Sequence, residues 1–277
     1  MANFVTHSYF ALKLMEEHKL NIEEQDHLII GGVLPDVHLT GLIQYHRTHT
    51  KGKDFFNRGK TRLRKLTALG VVLHGENPSG LDHYFHGWEG FIEENKKDVY
   101  KIAKRYRKTL GKIDNEVLHH LTEFSVDSIL VKRDPHLIPK ILRAMRNPRT
   151  KHVITAFSSF HELSEKKNKK IHKILKNRHL KNFVKNFHSV ETTAQNWLNL
   201  RFFLNLKAGR TLPLTEKVKK MTQFSFYNLK RKIDDKKMVR LFHELNLLLE
   251  ERTLKFLEKM ETKIKPVKDE YWTNIPD

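Results

Sequence analysis

Apolar residues of this chain recur at spacings of three and four, and short clusters of turn-forming residues interrupt that rhythm. Such spacing is the period of an α-helix, whereas the strict alternation of a half-buried β-strand is scarce. Proline and glycine mark many interruptions, for example at Pro35, Gly52 and Pro78. The sequence therefore predicts an all-α protein with helices over residues 4–19, 22–33, 39–48, 61–75, 81–108, 114–131, 135–146, 150–177, 180–206, 213–231 and 234–263.

Composition changes near residue 150, beyond which the chain becomes rich in lysine, as in EKKNKKIHKILKNRHLKNFVKNF. Apolar stripes at helical spacing continue in this second half, at Trp197, Leu198, Leu200, Phe202, Phe203 and Leu204. A chain of 277 residues can hold one large domain or two small ones. We expect a helical core over residues 1–149 and a basic helical region over residues 150–277, packed together as one body.

The 52 basic and 32 acidic residues give a net charge of +20, which attracts anions such as nucleic acid, acidic lipid headgroups or phosphorylated small molecules. The chain has no cysteine, which excludes disulfide partners, thiolate metal sites and a cysteine nucleophile. Any metal chemistry must therefore use histidine and carboxylate ligands. The start of the sequence lacks a basic segment before its apolar residues, and no run of about 20 apolar residues occurs, so we expect a cytoplasmic protein.

Three segments near the start carry histidine or aspartate at positions suited to a metal ion. His7 shares a face of the first helix with apolar residues, although a single histidine on such a face is usually a core residue. Asp36 follows a proline that ends a helix, and it could either point back across the bundle or cap the next helix. His46 and His49 lie three residues apart, and either could be a ligand or an exposed loop residue.

The segment LHGENPSGLDHYFHGW, from Leu73 to Trp88, places three histidines and an aspartate around a helix break. His74 ends an apolar helix, and the residue four positions on is Pro78, which cannot bind a metal. Asp82 and His86 follow one helical turn apart, so both can point into one cavity. The helix break at Pro78 therefore moves the next candidate ligands, Asp82 and His86, further along the chain but does not remove them.

His119 and Glu123 form a further pair one helical turn apart, in a helical quadrant that also holds His120 and Asp127. A polar stripe of this kind is also what a solvent-exposed helix face looks like. Taken together, the ligand types in the first 127 residues match what two or three zinc ions need, at about four ligands per ion with a bridging carboxylate. The sequence thus predicts that residues 1–149 are a metal-binding core.

The ordered segments THSYFALKL, GGVLPDV, YHRTHTKG, ALGVVLHG with LDHYFHGW, and HHLTE resemble the zinc-dependent phospholipase C family over about residues 6–127. Zinc-dependent single-strand nucleases of the same fold have a similar set. The resemblance implies a multi-helix bundle and a phosphoester hydrolase in which zinc lowers the pKa of bound water, so that hydroxide attacks an anionic phosphodiester. We expect the anionic substrate to be a lipid, nucleotide or nucleic acid, and the positive charge of the chain predicts peripheral contact with an acidic membrane.

This resemblance assigns eight metal ligands from nine candidate residues: His7, Asp36, His46 or His49, His74, Asp82, His86, His119 and Glu123. Asp36, His49, His74 and Asp82 would hold one zinc, and His46 is the alternative to His49. His86, His119 and Glu123 would hold the second ion, which Asp82 would share as a bridge, and His7 would belong to a third. Asp36 would also be catalytic, because it would orient or deprotonate the attacking water.

Two features of the sequence depart from that family. Secreted members supply the amine of an N-terminal tryptophan to the third ion, whereas this chain begins Met-Ala-Asn. The family spacing between His74 and Asp82 is lengthened here by the residues NPSG.

MANFVTH, GGVLPDV and LDHYFHGW also resemble acyl carrier protein phosphodiesterases, in which the metal-binding Asp-His doublet would fall on Asp82 and His83. This second resemblance implies a phosphoester hydrolase as well. The two resemblances differ in the metal-binding neighbour of Asp82, which is either His83 or His86.

The sequence is also compatible with a different class of function. A non-catalytic basic protein could use residues 150–206 to bind nucleic acid or an acidic membrane surface, with its histidines serving only the fold.

Overall fold

The computed structural model describes the backbone of residues 4–208 and 214–276, and the side chains of that part except residues 39–40, 179 and 200–235. All regular structure in the described backbone is helical, which confirms the predicted all-α class. Two 3₁₀ segments, Glu16–His18 and Leu34–Thr40, accompany the α-helices. The α-helices are α1 (Phe4–Leu14), α2 (Ile22–Val33), α3 (Tyr45–His49), α4 (Gly52–Asn57), α5 (Arg62–His74), α6 (Leu81–Phe85), α7 (Phe91–Arg105), α8 (Arg107–Leu110), α9 (Asn115–Arg133), α10 (Leu137–Ala144), α11 (Thr150–Phe160), α12 (Glu165–Leu175), α13 (Arg178–Lys185), α14 (Val190–Ala208) and α15 (Leu214–Trp272).

Several predicted helices are broken by turns that the apolar pattern did not reveal. The predicted helix over 39–48 is wrong in its first half, because the 3₁₀ segment ends at Gly41 in a left-handed conformation (φ 70°). Residues 81–108 form α6, α7 and α8, because the chain turns at Gly87 and Gly90, whose backbone atoms are hydrogen-bonded at 2.9 Å. Residues 150–177 are likewise divided between α11 and α12, where Glu162 has a positive φ of 57°.

Near the end of the chain, two predicted helices form a single helix instead of being divided. The predicted helices over 213–231 and 234–263 are both part of α15. Residue 213 lies outside the described residues. Pro266 lies inside α15 near its end and removes one backbone hydrogen-bond donor. The side chains of α15 are described from residue 236 onwards. The first buried apolar residues of that part lie on one face of the helix, at Met238, Leu241, Phe242, Leu245 and Leu249. Among the described residues, no helix is both apolar enough and long enough to cross a membrane.

One buried hydrophobic cluster extends from Phe4 to Tyr271, and thus includes residues from both 1–149 and 150–277. From the apolar stripe predicted on α14, Trp197 and Leu198 are buried. Leu200, Phe202, Phe203 and Leu204 lie outside the described side chains. Helix α15 contributes to this cluster by packing against α5, α7, α9 and α14.

Helices α2 and α5 pack closely, with backbone against backbone. A Cβ atom added at Gly31 would lie 2.0 Å from the carbonyl oxygen of Thr67, and one added at Gly70 would lie 2.3 Å from that of Leu28. Only glycine permits this approach, because it has no Cβ atom. The crossing therefore fixes the distance between the end of α2 and the end of α5, where His74 lies.

The beginnings of the same two helices are joined by Glu24. The Asn21 side chain accepts a hydrogen bond from the Glu24 backbone at 3.0 Å, and the Glu24 carboxylate accepts one from the Asn21 backbone at 2.8 Å, which forms a capping box. The other Glu24 carboxylate oxygen lies 2.5 Å from Nε of Arg62, the first residue of α5. One carboxylate thus caps α2 and anchors the start of α5.

We predict that Gly31→Ala lowers the free energy of unfolding by ~1–3 kcal/mol, because the added methyl group forces α2 away from α5. Gly32→Ala is the matched control, since its Cβ would lie 3.6 Å from the nearest atom, an ordinary contact. This control should leave stability unchanged or raise it by up to about 1 kcal/mol through helix propensity. Urea unfolding of both variants measures the difference, and equal stabilities would contradict the proposed close contact.

Candidate metal centre

Asp82 lies at the start of α6 and is surrounded by four imidazoles. Its Oδ2 atom is 3.2 Å from Nε2 of His49 and 3.4 Å from Nε2 of His74. Its Oδ1 atom is 3.1 Å from Nε2 of His7 and 3.2 Å from Nε2 of His86. The side chain of Asp82 is buried, at 4% relative exposure, so this concentration of polar atoms lies inside the helical body. One carboxylate thus faces two histidines with each of its oxygen atoms.

His49 and His74 turn the same ring nitrogen towards each other. The Nδ1 atom of His74 donates to the carbonyl of Gly32 at 2.6 Å, and that of His49 donates to the carbonyl of Tyr45 at 3.0 Å. In the neutral rings both Nε2 atoms therefore carry a lone pair, and they lie 3.2 Å apart. Two nitrogen ligands on a tetrahedral zinc, each about 2.0–2.1 Å from the metal, are separated by roughly 3.3 Å. The observed spacing fits a cation held between the rings.

Asp36, on the 3₁₀ segment, brings a second buried carboxylate to the inner side of the cluster. Its Oδ1 atom is 3.9 Å from Nε2 of His74, and ligand atoms of His7, Asp36 and His74 all lie within 4.8 Å of one another. Its Oδ2 atom and Nδ1 of His7 are buried and have no hydrogen-bond partner among the described residues. Buried polar atoms normally have a partner, so these two atoms indicate a ligand or water at this position.

A second group adjoins Asp82 through His86, and its members His86, His119 and Glu123 have ligand atoms within 4.8 Å of one another. The rings of His86 and His119 are stacked with centroids 4.8 Å apart. Oε1 of Glu123 is 3.1 Å from Nε2 of His119, and Oε2 accepts a hydrogen bond from Nδ1 of His120 at 2.8 Å. The side chain of His119 is 36% exposed, so this group reaches the surface.

Charge is concentrated in the buried part of the cluster. Burial opposes ionisation of Asp82, but the neighbouring His86, His74 and His7 outweigh it and hold its pKa well below the usual value. Burial also opposes the charged form of His74, yet Asp82 and Asp36 outweigh that effect and raise its pKa to about 9. The pKa of His7 is lowered by burial and by His74. Asp82 therefore stays ionised and requires a positive charge beside it, from a proton or from a metal ion.

The loop between α5 and α6 explains how the lengthened spacing still brings His74 and Asp82 together. The backbone amides of Glu76 and Asn77 donate to the carbonyl of His49 at 2.8 and 3.2 Å. A Cβ atom added at Gly80 would lie 2.5 Å from the carbonyl oxygen of Val72, so the loop returns tightly against α5. The residues NPSG thus form a compact loop between the candidate ligands His74 and Asp82.

The structure distinguishes the alternatives that the sequence left open. His46 is exposed and belongs to none of the candidate groups, whereas His49 is buried and belongs to two of them. His83 is also exposed, whereas Nε2 of its neighbour His86 lies beside Asp82. The geometry thus favours His49 over His46 and His86 over His83.

The predicted ligands form two groups in the structure. The inner group consists of His7, Asp36, His49, His74 and Asp82, and the outer group consists of His86, His119 and Glu123. His7 lies in the inner group because its ring stacks on that of His74, with centroids 3.5 Å apart.

His38 is a further candidate ligand that the sequence reasoning did not identify. Ligand atoms of Asp36, His38 and His49 lie within 4.8 Å of one another, and Nδ1 of His38 lies 3.1 Å from the carbonyl of Pro35. The sequence Pro-Asp-Val-His places His38 two residues after Asp36, and this nearness was the available signal. In an α-helix, however, side chains two residues apart do not lie on the same face, so the spacing rule did not pair them. Because the segment is a 3₁₀ turn, both side chains reach the cluster.

Asp127 shares a quadrant of α9 with His119 but has a structural role. Its Oδ1 atom accepts hydrogen bonds from the backbone of Thr6 at 3.0 Å and from the Thr6 hydroxyl at 2.5 Å. Asp127 belongs to neither the inner nor the outer ligand group in the described part of the chain. Asp127 thus holds α1 against α9. Because His7 directly follows Thr6 in the chain, this contact also positions His7 beside Asp82.

No family model, curated protein or solved structure matches the chain. The fold and the site define an all-α protein whose buried histidine and carboxylate groups could hold metal ions. The donor set contains only imidazole nitrogen and carboxylate oxygen, which suits zinc and related divalent metals.

We predict that the purified protein contains about two equivalents of zinc per chain. Asp82→Ala should lose most of this metal, because Asp82 lies between the two groups, and His119→Ala should lose about half. His83→Ala and His46→Ala are matched controls, since both histidines are exposed neighbours of candidate ligands, and they should keep the wild-type content. Mass spectrometry of the metal content decides the outcome, and a metal-free wild-type protein would contradict the prediction.

Removal of metal should also destabilise the fold, because the candidate ligands are positioned together only in the folded chain. At a free zinc concentration 1,000 times the dissociation constant, the expected stabilisation is about 4 kcal/mol. Thermal unfolding with zinc and after chelator treatment measures it. Asp82→Ala should show a much smaller response to zinc, and a wild-type melting temperature that does not respond to zinc would contradict a metal centre.

Proposed function

We propose that the protein is a metal-dependent phosphoester hydrolase with zinc as its resident metal. The observation that carries this proposal is the position of Asp82, whose Oδ2 atom faces His49 and His74 and whose Oδ1 atom faces His86, a member of the second group. A carboxylate between two ligand sets is the arrangement that two-metal hydrolases use. We further propose that the helices form a bundle of the zinc-dependent phospholipase C type, since the order of the ligands along the chain resembles that family.

The described residues fit two zinc positions. Asp36, His49, His74 and Asp82 would form the inner position, and His74 would be oriented there by its hydrogen bond to a backbone carbonyl. His86, His119 and Glu123 would form the outer position, with Asp82 shared. His7, beside Asp36 and His74, would belong to a third ion, and His38 would be a further ligand beside Asp36 and His49.

Bound zinc would lower the pKa of water towards 7, which supplies hydroxide at neutral pH and stabilises negative charge on a phosphoryl group. In hydrolysis the water oxygen bonds to phosphorus, the bond to the leaving ester oxygen breaks, and a proton of the water must be accepted. Asp36 would accept that proton at Oδ2, the buried carboxylate oxygen that has no hydrogen-bond partner among the described residues. No protein nucleophile is needed.

The charge of the chain supports an anionic substrate. A net charge of +20 raises the rate at which phosphoesters meet the protein, although it does not select among them. The exposed edge of His119 is where the cluster reaches solvent, so the substrate would enter from that side. Lipid, nucleotide and nucleic-acid esters all satisfy these conditions, and peripheral contact with an acidic membrane would bring a lipid substrate to the site.

A second candidate function is favoured by the surface of α12. Lys166, Lys167, Lys170 and Lys173 are exposed, and the single acidic residue of the helix, Glu165, pairs with another lysine. This face could bind nucleic acid or an acidic membrane without catalysis. Of the wider basic region over 150–206, residues 200–206 lie outside the described side chains. This candidate predicts a metal-free protein whose affinity for DNA or anionic vesicles falls steeply with salt.

Hydrolysis of bis-p-nitrophenyl phosphate tests the catalytic proposal. We predict that Asp36→Asn lowers kcat about 100-fold or more, because an amide cannot accept the proton. The zinc content of this variant should change much less than its activity, since the amide oxygen remains available to the metal. Phosphatidylcholine and single-stranded DNA, tested with the same zinc-loaded protein, identify the substrate class.

His46→Ala and His83→Ala again serve as controls, and both should hydrolyse the ester at the wild-type rate. The catalytic proposal is wrong if zinc-loaded wild-type protein has no activity on any of the three substrates. An Asp36→Asn variant with full activity would instead contradict only the role of Asp36.

A further inference from the structure

A basic cavity of about 830 Å³ lies where α7 ends, beside α8 and one turn of α15. Among its described lining residues none is acidic, and seven are basic: Lys104, Arg105, Arg107, Lys108, Lys112, Lys237 and Arg240. These residues come from two stretches that are more than one hundred positions apart in the sequence. Five of the seven lie within residues 104–112, and the fold adds Lys237 and Arg240 from α15 to this local concentration of charge.

The cations of this cavity differ from those of the preceding turns of α7. There Lys96 pairs with Glu93 at 2.9 Å, and Lys101 pairs with Asp98 at 2.8 Å, so basic and acidic side chains balance each other. Within the cavity, the basic residues that have no ion pair among the described side chains are Lys104, Arg107, Lys108, Lys237 and Arg240. Like charges held this close repel one another unless an anion lies between them.

The wall of the cavity is held in place by Glu244. The Tyr106 hydroxyl donates a hydrogen bond to this carboxylate at 2.6 Å, and Arg105 forms an ion pair with it. Burial and Glu244 raise the pKa of Tyr106 to about 12, so the phenol stays protonated and its hydroxyl remains bound to the carboxylate. The remaining charged groups of the wall are cationic hydrogen-bond donors.

We propose that this cavity binds a compact anion that carries several phosphate groups. Its volume lies within the range of small-molecule sites, about 300–1,000 Å³. Two arginines offer the planar, bidentate donors that suit phosphate oxygens, and the lysines add point charges. A single-stranded nucleic acid site would need aromatic rings for base stacking, whereas Tyr106 is the one aromatic side chain among the described lining residues. The site shares no residue with the candidate metal centre.

Inorganic tripolyphosphate is the probe, titrated calorimetrically into full-length protein that has been depleted of metal and dialysed free of chelator. At about 0.15 M ionic strength the Debye length is about 8 Å, so the distant charges of the chain contribute little. We expect saturable binding with one equivalent per chain. The double variant Arg107→Gln with Arg240→Gln should raise the dissociation constant about tenfold or more, since both side chains are exposed and their loss should not disturb the core.

The matched control removes the same two charges at Lys53→Gln and Lys60→Gln, which flank Phe56. The ring of Phe56 lies 4.7 Å from that of Tyr271, and Tyr271 is 31 residues, roughly 45 Å along α15, from Arg240. The control should bind tripolyphosphate as the wild type does, and both double variants should keep the wild-type melting temperature.

Equal loss of binding in both double variants would overturn the proposal, because it would show attraction to the net charge alone. The proposal is also wrong if single-stranded DNA or anionic vesicles bind more tightly than tripolyphosphate and depend on Arg107 and Arg240 in the same way. Absence of ester hydrolysis has no bearing on this result, since the metal-depleted protein is used and no metal-centre residue is changed.

Discussion

The direct contact between the backbones of α2 and α5 is the constraint on which the candidate centre depends. Gly31 and Gly70 let the two helices approach until only glycine fits between them. The next residue of α2, Gly32, then presents its carbonyl to Nδ1 of His74. That hydrogen bond sets the tautomer and the direction of the ring, and so directs Nε2 at Asp82. A methyl group in the crossing would thus act on the cluster as well as on the core.

The cluster is stable only if its negative charges are matched within the fold. Asp36, Asp82 and Glu123 are all buried, and burial of an unmatched carboxylate is costly. The surrounding imidazoles can supply the match by taking up protons, as the raised pKa of His74 indicates. A divalent ion would supply this positive charge in place of the proton on His74. Proton and metal therefore compete for the same atoms.

Sequence reasoning predicts those parts of the site that depend on helical spacing. Asp82 with His86, and His119 with Glu123, are neighbours because residues four apart share a helix face. The choice of His49 over His46 could not be made from sequence, because it depends on which side of a short helix meets α5. His38 was missed because its segment is a 3₁₀ turn, and the basic cavity was missed because α15 completes it from far along the chain.

The two ends of the cluster differ in their access to water. His49 and His74 are buried at the ends of α3 and α5, whereas one edge of His119 is open to solvent. An ion at the outer end would exchange with the medium while the helices stay packed, but an ion at the inner end would leave only as fast as the helices separate. Occupancy at the outer end would accordingly follow the metal supply of the surroundings, and a half-loaded species would be the long-lived form during depletion.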